Sequence, residues 1–191
     1  MTDEQVTGWA LAAGRGDPAA AAAFVRATQR QLRRFLHHLA GPADLDDLTQ
    51  ETYLRALRSL PGFAGRSSAR TWLYTIARRV AVDHVRAAVA RPRLARVDDW
   101  QGAADAATLA DRPRFEDDLA LRDLLGGLSD ERREAFVATQ LLGLSYAEAA
   151  EVCDCPVGTI RSRVARARED LVSALAAGGV PRRGRAPGVA G

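Results

Sequence analysis

Apolar positions recur at helical spacing in several separate stretches of the chain, and Gly, Pro, Asp and Ser punctuate the gaps between them. Asp17-Pro18 predicts a helix start, because aspartate caps free amides and proline is tolerated in a first turn; that helix is expected to run to about Leu39. Gly41-Pro42 stops it. From Asp44 to about Ser59, Leu45, Leu48 and Thr52 fall on one face, and Leu60-Pro61-Gly62 ends the segment. After a short loop, Phe63 to Ser68, a long helix is expected from near Ser68 through Trp72, Ile76, Val80 and His84 to about Val89. These helices predict one compact bundle.

From Arg91-Pro92 to about Arg114 the periodicity dissolves into Ala, Asp, Gly and Pro, the composition of a linker. Beyond it, Leu119 to Leu125 reads as helical and Ser129 as the cap of a helix that ends at Gly143. Two more helices are expected, from Ser145 and from Pro156, before a Gly-, Pro- and Arg-rich tail that begins at Gly178 and is expected to be disordered. The expected fold is all-α, with two small helical domains. An N-terminal helix bundle (1–90) and a C-terminal helix-turn-helix domain (115–177) are joined by a flexible acidic linker (91–114) and followed by the tail (178–191). The Ala-rich start carries no motif and is assigned no role.

Composition supports helices over sheets: 47% of residues are hydrophobic but only 6% aromatic, much of the apolar content being alanine and leucine. Every basic residue is arginine, and the net charge of +3 over 191 residues is too weak to name a partner by itself. Its distribution says more. Residues 63–96 hold eight Arg against one Asp, 97–123 eight acids against three Arg, and 156–191 seven Arg against two acids. Two basic blocks therefore flank an acidic connector. Cys153 and Cys155 are too close together to staple distant elements and too few to complete a four-ligand zinc site; they are expected to pack in a turn, a redox or metal role being the alternative. The chain has neither a membrane-length apolar run nor a signal-like start, so a cytoplasmic protein without membrane insertion is expected.

The strongest local signal is LSYAEAAEVCDCPVGTIRSRVARARED, which reads as a helix-turn-helix. Ser145 and Glu148 form a capping box, Ala149 and Ala150 permit close packing, and Pro156 suits a helix start. Asp154 occupies a turn position that often takes glycine, a geometry aspartate tolerates. In the second helix Val157, Ile160, Val164, Ala167 and Leu171 share one face. Thr159, Ser162 and Arg166 point the other way, flanked by Arg161 and Arg163. Hydroxyls and guanidiniums on an outward face suit base edges and phosphates, as in a recognition helix; which arginines touch bases is not readable from the pattern. Its plain counterpart is a helical hairpin with solvated arginines.

Two N-terminal segments complete the set. Asp47, Gln50 and Glu51 in DDLTQETYLRAL share an acidic helix surface, which repels DNA and suits a protein partner. RTWLYTIARRVAVDHVR, from Arg70 to Arg86, mixes aromatics with arginines, a surface able to stack on unpaired bases while neutralising phosphates; alternatively Trp72 and Ile76 are core and the arginines solvated.

Together, and in this order, the three segments resemble the extracytoplasmic-function sigma factors of the sigma-70 family: the polymerase-binding motif, the promoter-melting helix and the second DNA-binding domain. The resemblance extends from about residue 15 to 176. It implies a transcription initiation factor with no chemistry and no cofactor or metal of its own. Asp47, Gln50 and Glu51, with Arg55 nearby, would dock on the clamp helices of the largest subunit of core RNA polymerase. Phe63, Arg66, Ser67, Trp72, Arg78, Arg79, Asp83 and His84 would capture the non-template strand of the minus-ten element of promoter DNA. Thr159, Arg161, Ser162, Arg163 and Arg166 would read the minus-thirty-five element as a duplex. The acidic linker would pass through the polymerase near the RNA exit path. Many relatives are held inactive by an anti-sigma factor, although no residue here identifies one. Flipping a base costs a few kcal/mol, which a stacking pocket offsets. Two modest sites held on one polymerase gain by effective concentration, so weak promoter binding by the isolated chain is expected.

Two other readings use the same residues. A free-standing helix-turn-helix regulator would bind duplex DNA tightly without polymerase and leaves the acidic motif unexplained. A metal-dependent hydrolase would draw on His37, His38, Asp44, Asp46, Asp47, Glu51, Asp83 and His84, which lack a metal-binding spacing such as His-Glu-x-x-His.

Overall fold

The computed structural model describes residues 2–90 and 121–177. The expected linker and tail, and the start expected for the Leu119 helix, lie outside the described residues. Helix α1 (Asp3–Gly14) precedes α2 (Pro18–Ala40), α3 (Leu45–Ser59), a single tight turn (Leu60–Gly62) and α4 (Ala69–Ala90). The second part holds helical residues 121–126, then α5 (Asp130–Phe136), whose last turn widens over Val137–Leu141, then α6 (Tyr146–Cys153) and α7 (Val157–Ala176). Among the described residues the structure is two helical domains with no strand.

Local chemistry sets most of these boundaries. The Asp17 carboxylate accepts the amides of Ala19 and Ala20 at 2.9 and 3.1 Å, with Pro18 in the first turn. Gly41, at φ +87°, closes α2 where a side chain would be strained. Ser145 and Glu148 form the full capping box of α6: the Ser145 hydroxyl accepts from the Glu148 amide at 3.2 Å, and the Glu148 carboxylate accepts from the Ser145 amide at 2.9 Å. Asp154 ends α6 in the left-handed region at φ 52°. Pro156 is the residue that precedes α7 and not its first turn, a difference of one position. The N-terminal start, unread in the sequence, is helical: the Thr2 hydroxyl accepts from Gln5, Asp3 and Glu4 suit the first turn, and Val6 and Ala10 are fully buried one turn apart.

In the N-terminal bundle Phe24, Leu32, Phe35 and Leu36 of α2 meet Leu48 and Ala56 of α3 and Leu73, Tyr74 and Ala77 of α4. The Phe35 and Tyr74 rings lie 5.3 Å apart, and the Thr28 and Tyr53 hydroxyls hydrogen-bond at 2.8 Å between α2 and α3. The core stripe of α4 is Ala69, Leu73, Ala77, Val80 and Ala81, while Trp72 and Ile76 are half-buried on its flank. Small alanines at 69, 77 and 81 let α4 approach its neighbours closely, with Leu73 and Tyr74 filling the core between them, so Trp72 and Ile76 do not mark the centre of the buried face.

The two domains are packed on each other. α6 lies against α4, α5 against α2, and one continuous apolar core runs through both parts. Polar contacts cross the same boundary: Arg78 Nε donates to Glu134 Oε2 at 2.9 Å, and the Thr71 hydroxyl donates to Glu148 at 3.3 Å.

Candidate polymerase and nucleic-acid interfaces

α3 holds its acidic surface away from the core because Leu48, Thr52 and Ala56 occupy the buried side. Asp47 and Gln50 are exposed and Glu51 is partly covered. Arg55 ties this surface to α4: its Nε donates to Glu51 at 2.7 Å and its Nη1 reaches Asp83 at 3.5 Å. Burial works slightly against the charge of Arg55, but its bond to Glu51 comes first and holds it firmly protonated. Leu54 and Leu57 stand 41% and 39% exposed on the same side, at positions seven residues beyond Asp47 and Gln50. The face is therefore acidic toward the start of α3 and apolar one to two turns further along. The sequence signal for these two leucines was present, since both fall off the Leu45, Leu48, Thr52 stripe.

Asp44 and Asp46 have structural partners. His84 Nε2 lies 3.0 Å from Asp44 Oδ2, and Arg33 pairs with Asp46. Among the described residues no three His, Cys, Asp or Glu side chains converge as metal ligands.

The minus-ten candidates occupy the loop after the Leu60–Gly62 turn and one side of α4. The Phe63 and Trp72 rings pack at 4.9 Å, a tilted pair with a partly open face. Arg66 is exposed and Ser67 half-buried, while Ser68 opens α4 by accepting the Thr71 amide at 3.1 Å. Arg79 and Asp83 are exposed and line a cleft of about 210 Å³ whose other wall carries Glu151 and Asp154 of the second domain. Arg78 is held in the domain boundary by Glu134; burial opposes its charge, and Glu134 more than compensates. The structure thus brings Phe63 to Trp72 and Arg79 to Asp83, ties His84 to the start of α3, and turns Arg78 to the second domain.

On the second domain, Ile160, Val164 and Ala167 seat α7 in the core, whereas Val157 is 37% exposed and outside it. Arg161, Ser162 and Arg166 are exposed, and Thr159 and Arg163 are partly covered. The Ser162 hydroxyl donates back to the Thr159 carbonyl at 2.9 Å, and Arg163 reaches the Cys155 sulfur at 3.6 Å. Thr159, Ser162, Arg163 and Arg166 line a groove of about 330 Å³ with Ser129, Glu131 and Arg132 from the start of α5. Arg132 pairs with Asp170, and Arg168 with Gln140 at 2.9 Å, locking α7 against the preceding segment. Arg132 is a basic groove residue missed in the sequence because it lies outside the helix-turn-helix. Cys153 packs in the turn, its thiol pushed up to about 12 by burial first and by the nearby Glu134 next.

Helix α7 therefore offers guanidiniums on a helix wide open to a groove, and α4 an aromatic pair beside arginines. The first arrangement suits duplex DNA and the second an unpaired strand. Comparison with known proteins gives the family. Residues 24–91 match Sigma-70 region 2, and residues 118–171 match Sigma-70, region 4. The chain belongs to the sigma-70 family. Among relatives, the ECF RNA polymerase sigma factor SigC of Mycobacterium tuberculosis is 50% identical over 175 residues, covering 90% of this chain and 91% of that one. CnrH, solved in complex with the cytosolic domain of CnrY, superposes with a TM-score of 0.70 at 26% identity over 91% of this chain and 98% of that one. RpoE of Bartonella quintana, solved with the anti-sigma factor NepR, gives 0.60 at 29% identity over 80% and 94%. This sigma factor is an extracytoplasmic-function factor that directs RNA polymerase to promoters.

Proposed function

We propose that this sigma factor divides its work among three surfaces. Asp47, Gln50 and Glu51, with Leu54 and Leu57 added by their exposure, dock on the clamp helices of the polymerase's largest subunit. Phe63, Arg66, Ser67, Trp72, Arg78, Arg79, Asp83 and His84 engage the non-template strand of the minus-ten element. Thr159, Arg161, Ser162, Arg163 and Arg166, with Arg132, engage the minus-thirty-five duplex. The observation that carries this reading is the separation of charge: an acidic, partly apolar face on α3, which packs on α4, and a basic face on α7, which packs on α5 and α6 of the second domain. An acidic face disfavours DNA and favours a protein groove, while arginines along a helix favour phosphates and base edges.

Residues 1–90 form the polymerase-binding and melting domain, 91–114 the linker, 115–177 the duplex-reading domain and 178–191 a tail. The factor works by binding energy alone, without a catalytic step. It acts in the cytoplasm, a reading consistent with the absence, among the described residues, of any helix long and apolar enough to cross a membrane. An anti-sigma factor is a further partner, supported by the likeness to RpoE, solved with the anti-sigma factor NepR.

Equilibrium binding to core polymerase and to promoter duplex tests the division. Asp47→Ala/Glu51→Ala is expected to weaken core binding by about tenfold or more, a loss of two charges from a docking face, and to leave the fold intact. Arg161→Ala/Arg166→Ala is expected to leave core binding unchanged and to weaken duplex binding by the holoenzyme by about tenfold to a hundredfold. Equal loss of both activities in both variants would refute separate surfaces.

A further inference from the structure

Helix α1 lies outside the residues that match Sigma-70 region 2, yet one side of it follows the whole promoter-facing loop in antiparallel order. At its C-terminal end Gly14 sits so close to Leu60 that a Cβ would fall 2.5 Å from the Leu60 carbonyl oxygen. One turn earlier the Leu11 side chain covers Gly65, where a Cβ would lie 3.5 Å from it and where φ is +67°. Next, the Thr7 hydroxyl accepts the Ala69 amide at 3.0 Å, satisfying one of the free N–H groups at the start of α4. At the N-terminal end Asp3 pairs with Arg70 at 2.7 Å, and the Arg70 side chain is only 18% exposed. Positions 3, 7, 11 and 14 form a single helical stripe, with Val6 and Ala10 beside it fully buried. Phe63, Arg66 and Ser67 hang between these anchors.

We propose that α1 is a brace for the strand-capturing loop, with Asp3 and Thr7 as positioning residues that hold residues 60–70 in the shape that receives the minus-ten strand. The inference rests on the minus-ten reading above. A loop ordered before binding does not lose that freedom when DNA arrives, so the brace adds affinity without touching DNA. The stripe's partners described above are Leu60, Gly65, Ala69 and Arg70, and none of them is among the α3 docking or α7 duplex candidates.

The test uses the full chain loaded on core polymerase and a library of genomic promoters, the variants being compared on those that the wild type opens. Permanganate reactivity of unpaired thymines reports opening; core binding, duplex binding and the thermal midpoint are measured beside it. Thr7→Val keeps the shape and removes the acceptor, and Asp3→Ala removes the ion pair. Each is expected to lower opening about fivefold, the scale of a lost helix cap, with core and duplex binding unchanged. Thr7→Ser restores the acceptor and is expected to restore opening. Gly14→Ala forces α1 off Leu60 and is expected to lower opening further. A wild-type holoenzyme that opens no promoter overturns the minus-ten reading and this inference with it. Wild-type opening that Thr7→Val and Asp3→Ala leave unchanged overturns the brace alone, as does a loss of opening that Thr7→Ser fails to restore or that only follows a fall in folded protein.

Discussion

Helices α7 and α4 carry the two proposed DNA-binding surfaces of this sigma factor, but only α7 has its basic side open. Arg161 and Arg166 stand in solvent, and the nearby pairs of Arg132 with Asp170 and Arg168 with Gln140 stay within the second domain. On α4, Arg78 is paired with Glu134, Thr71 is fully buried against Glu148, and Arg79 and Asp83 look into a cleft walled by the acids Glu151 and Asp154. The proposed duplex-reading surface is thus open in the free chain while part of the proposed strand-capturing surface is covered by the other domain. Arg78 has its Nε on Glu134, which draws its guanidinium into the domain boundary. On the proposed reading, separation of the domains frees this side of α4 for the strand, and docking on polymerase supplies a reason for it, because promoter elements that lie apart along DNA have to be met by domains that stand apart.

Glu134→Gln offers the strongest way to break this comparison. It keeps the side-chain shape and leaves the Arg78 charge without its partner in a contact that is largely buried. The packed arrangement is expected to lose about 1–3 kcal/mol, somewhat below the cost for a fully buried pair. The isolated chain should then bind a minus-ten single strand about tenfold more tightly, while its duplex binding stays constant. Fluorescence anisotropy with a labelled strand measures the first and a labelled duplex the second. Weaker strand binding in Glu134→Gln would mean that the domain contact aids capture instead of blocking it.

A smaller effect should appear with pH at Glu148. Burial pushes its carboxyl up, but hydrogen bonds from the Ser145 hydroxyl and amide and from Thr71 outweigh this and hold it below the ordinary range. A carboxyl lowered in the folded chain contributes stability above its unfolded value, ~4.3, and loses it as pH falls through the folded value. The contribution is complete at neutral pH. Between about pH 5 and about pH 3 the wild-type thermal midpoint should fall more steeply than that of Glu148→Gln, whose side chain does not titrate. Parallel slopes would show that Glu148 adds nothing to the capping box or to the contact with Thr71.

The same contrast between the domains explains what the sequence made legible. The helix-turn-helix is written in local rules: a capping box at Ser145 and Glu148, an aspartate that tolerates the turn at 154, and Ile160, Val164 and Ala167 at helical spacing. Each works within a few residues, so each can be read without knowing the fold. The long helices of the first domain were legible for the same reason, through Asp17-Pro18, Gly41 and Ser68. The core face of α4 was harder to find because alanines at 69, 77 and 81 carry it, and alanine gives little contrast with its neighbours. α1 was missed on that account too, being mostly small residues with Gly8 in its middle. The packing of the two domains had no local signature at all. Arg78 and Glu148 read in sequence as a DNA contact and a cap, Glu134 and Thr71 carry no reading of their own, and only the fold gives the four to one another.

The central claim, that the chain recognises promoters as a subunit of polymerase and not by itself, is tested most directly by run-off transcription from a genomic promoter library. Core polymerase alone, the isolated chain alone and the two together are compared under one salt condition. The account predicts specific initiation only from the combination, lost with Asp47→Ala/Glu51→Ala and with Arg161→Ala/Arg166→Ala, and only weak duplex binding by the isolated chain. Tight, salt-sensitive duplex binding by the isolated chain, with no promoter used when polymerase is added, would contradict it.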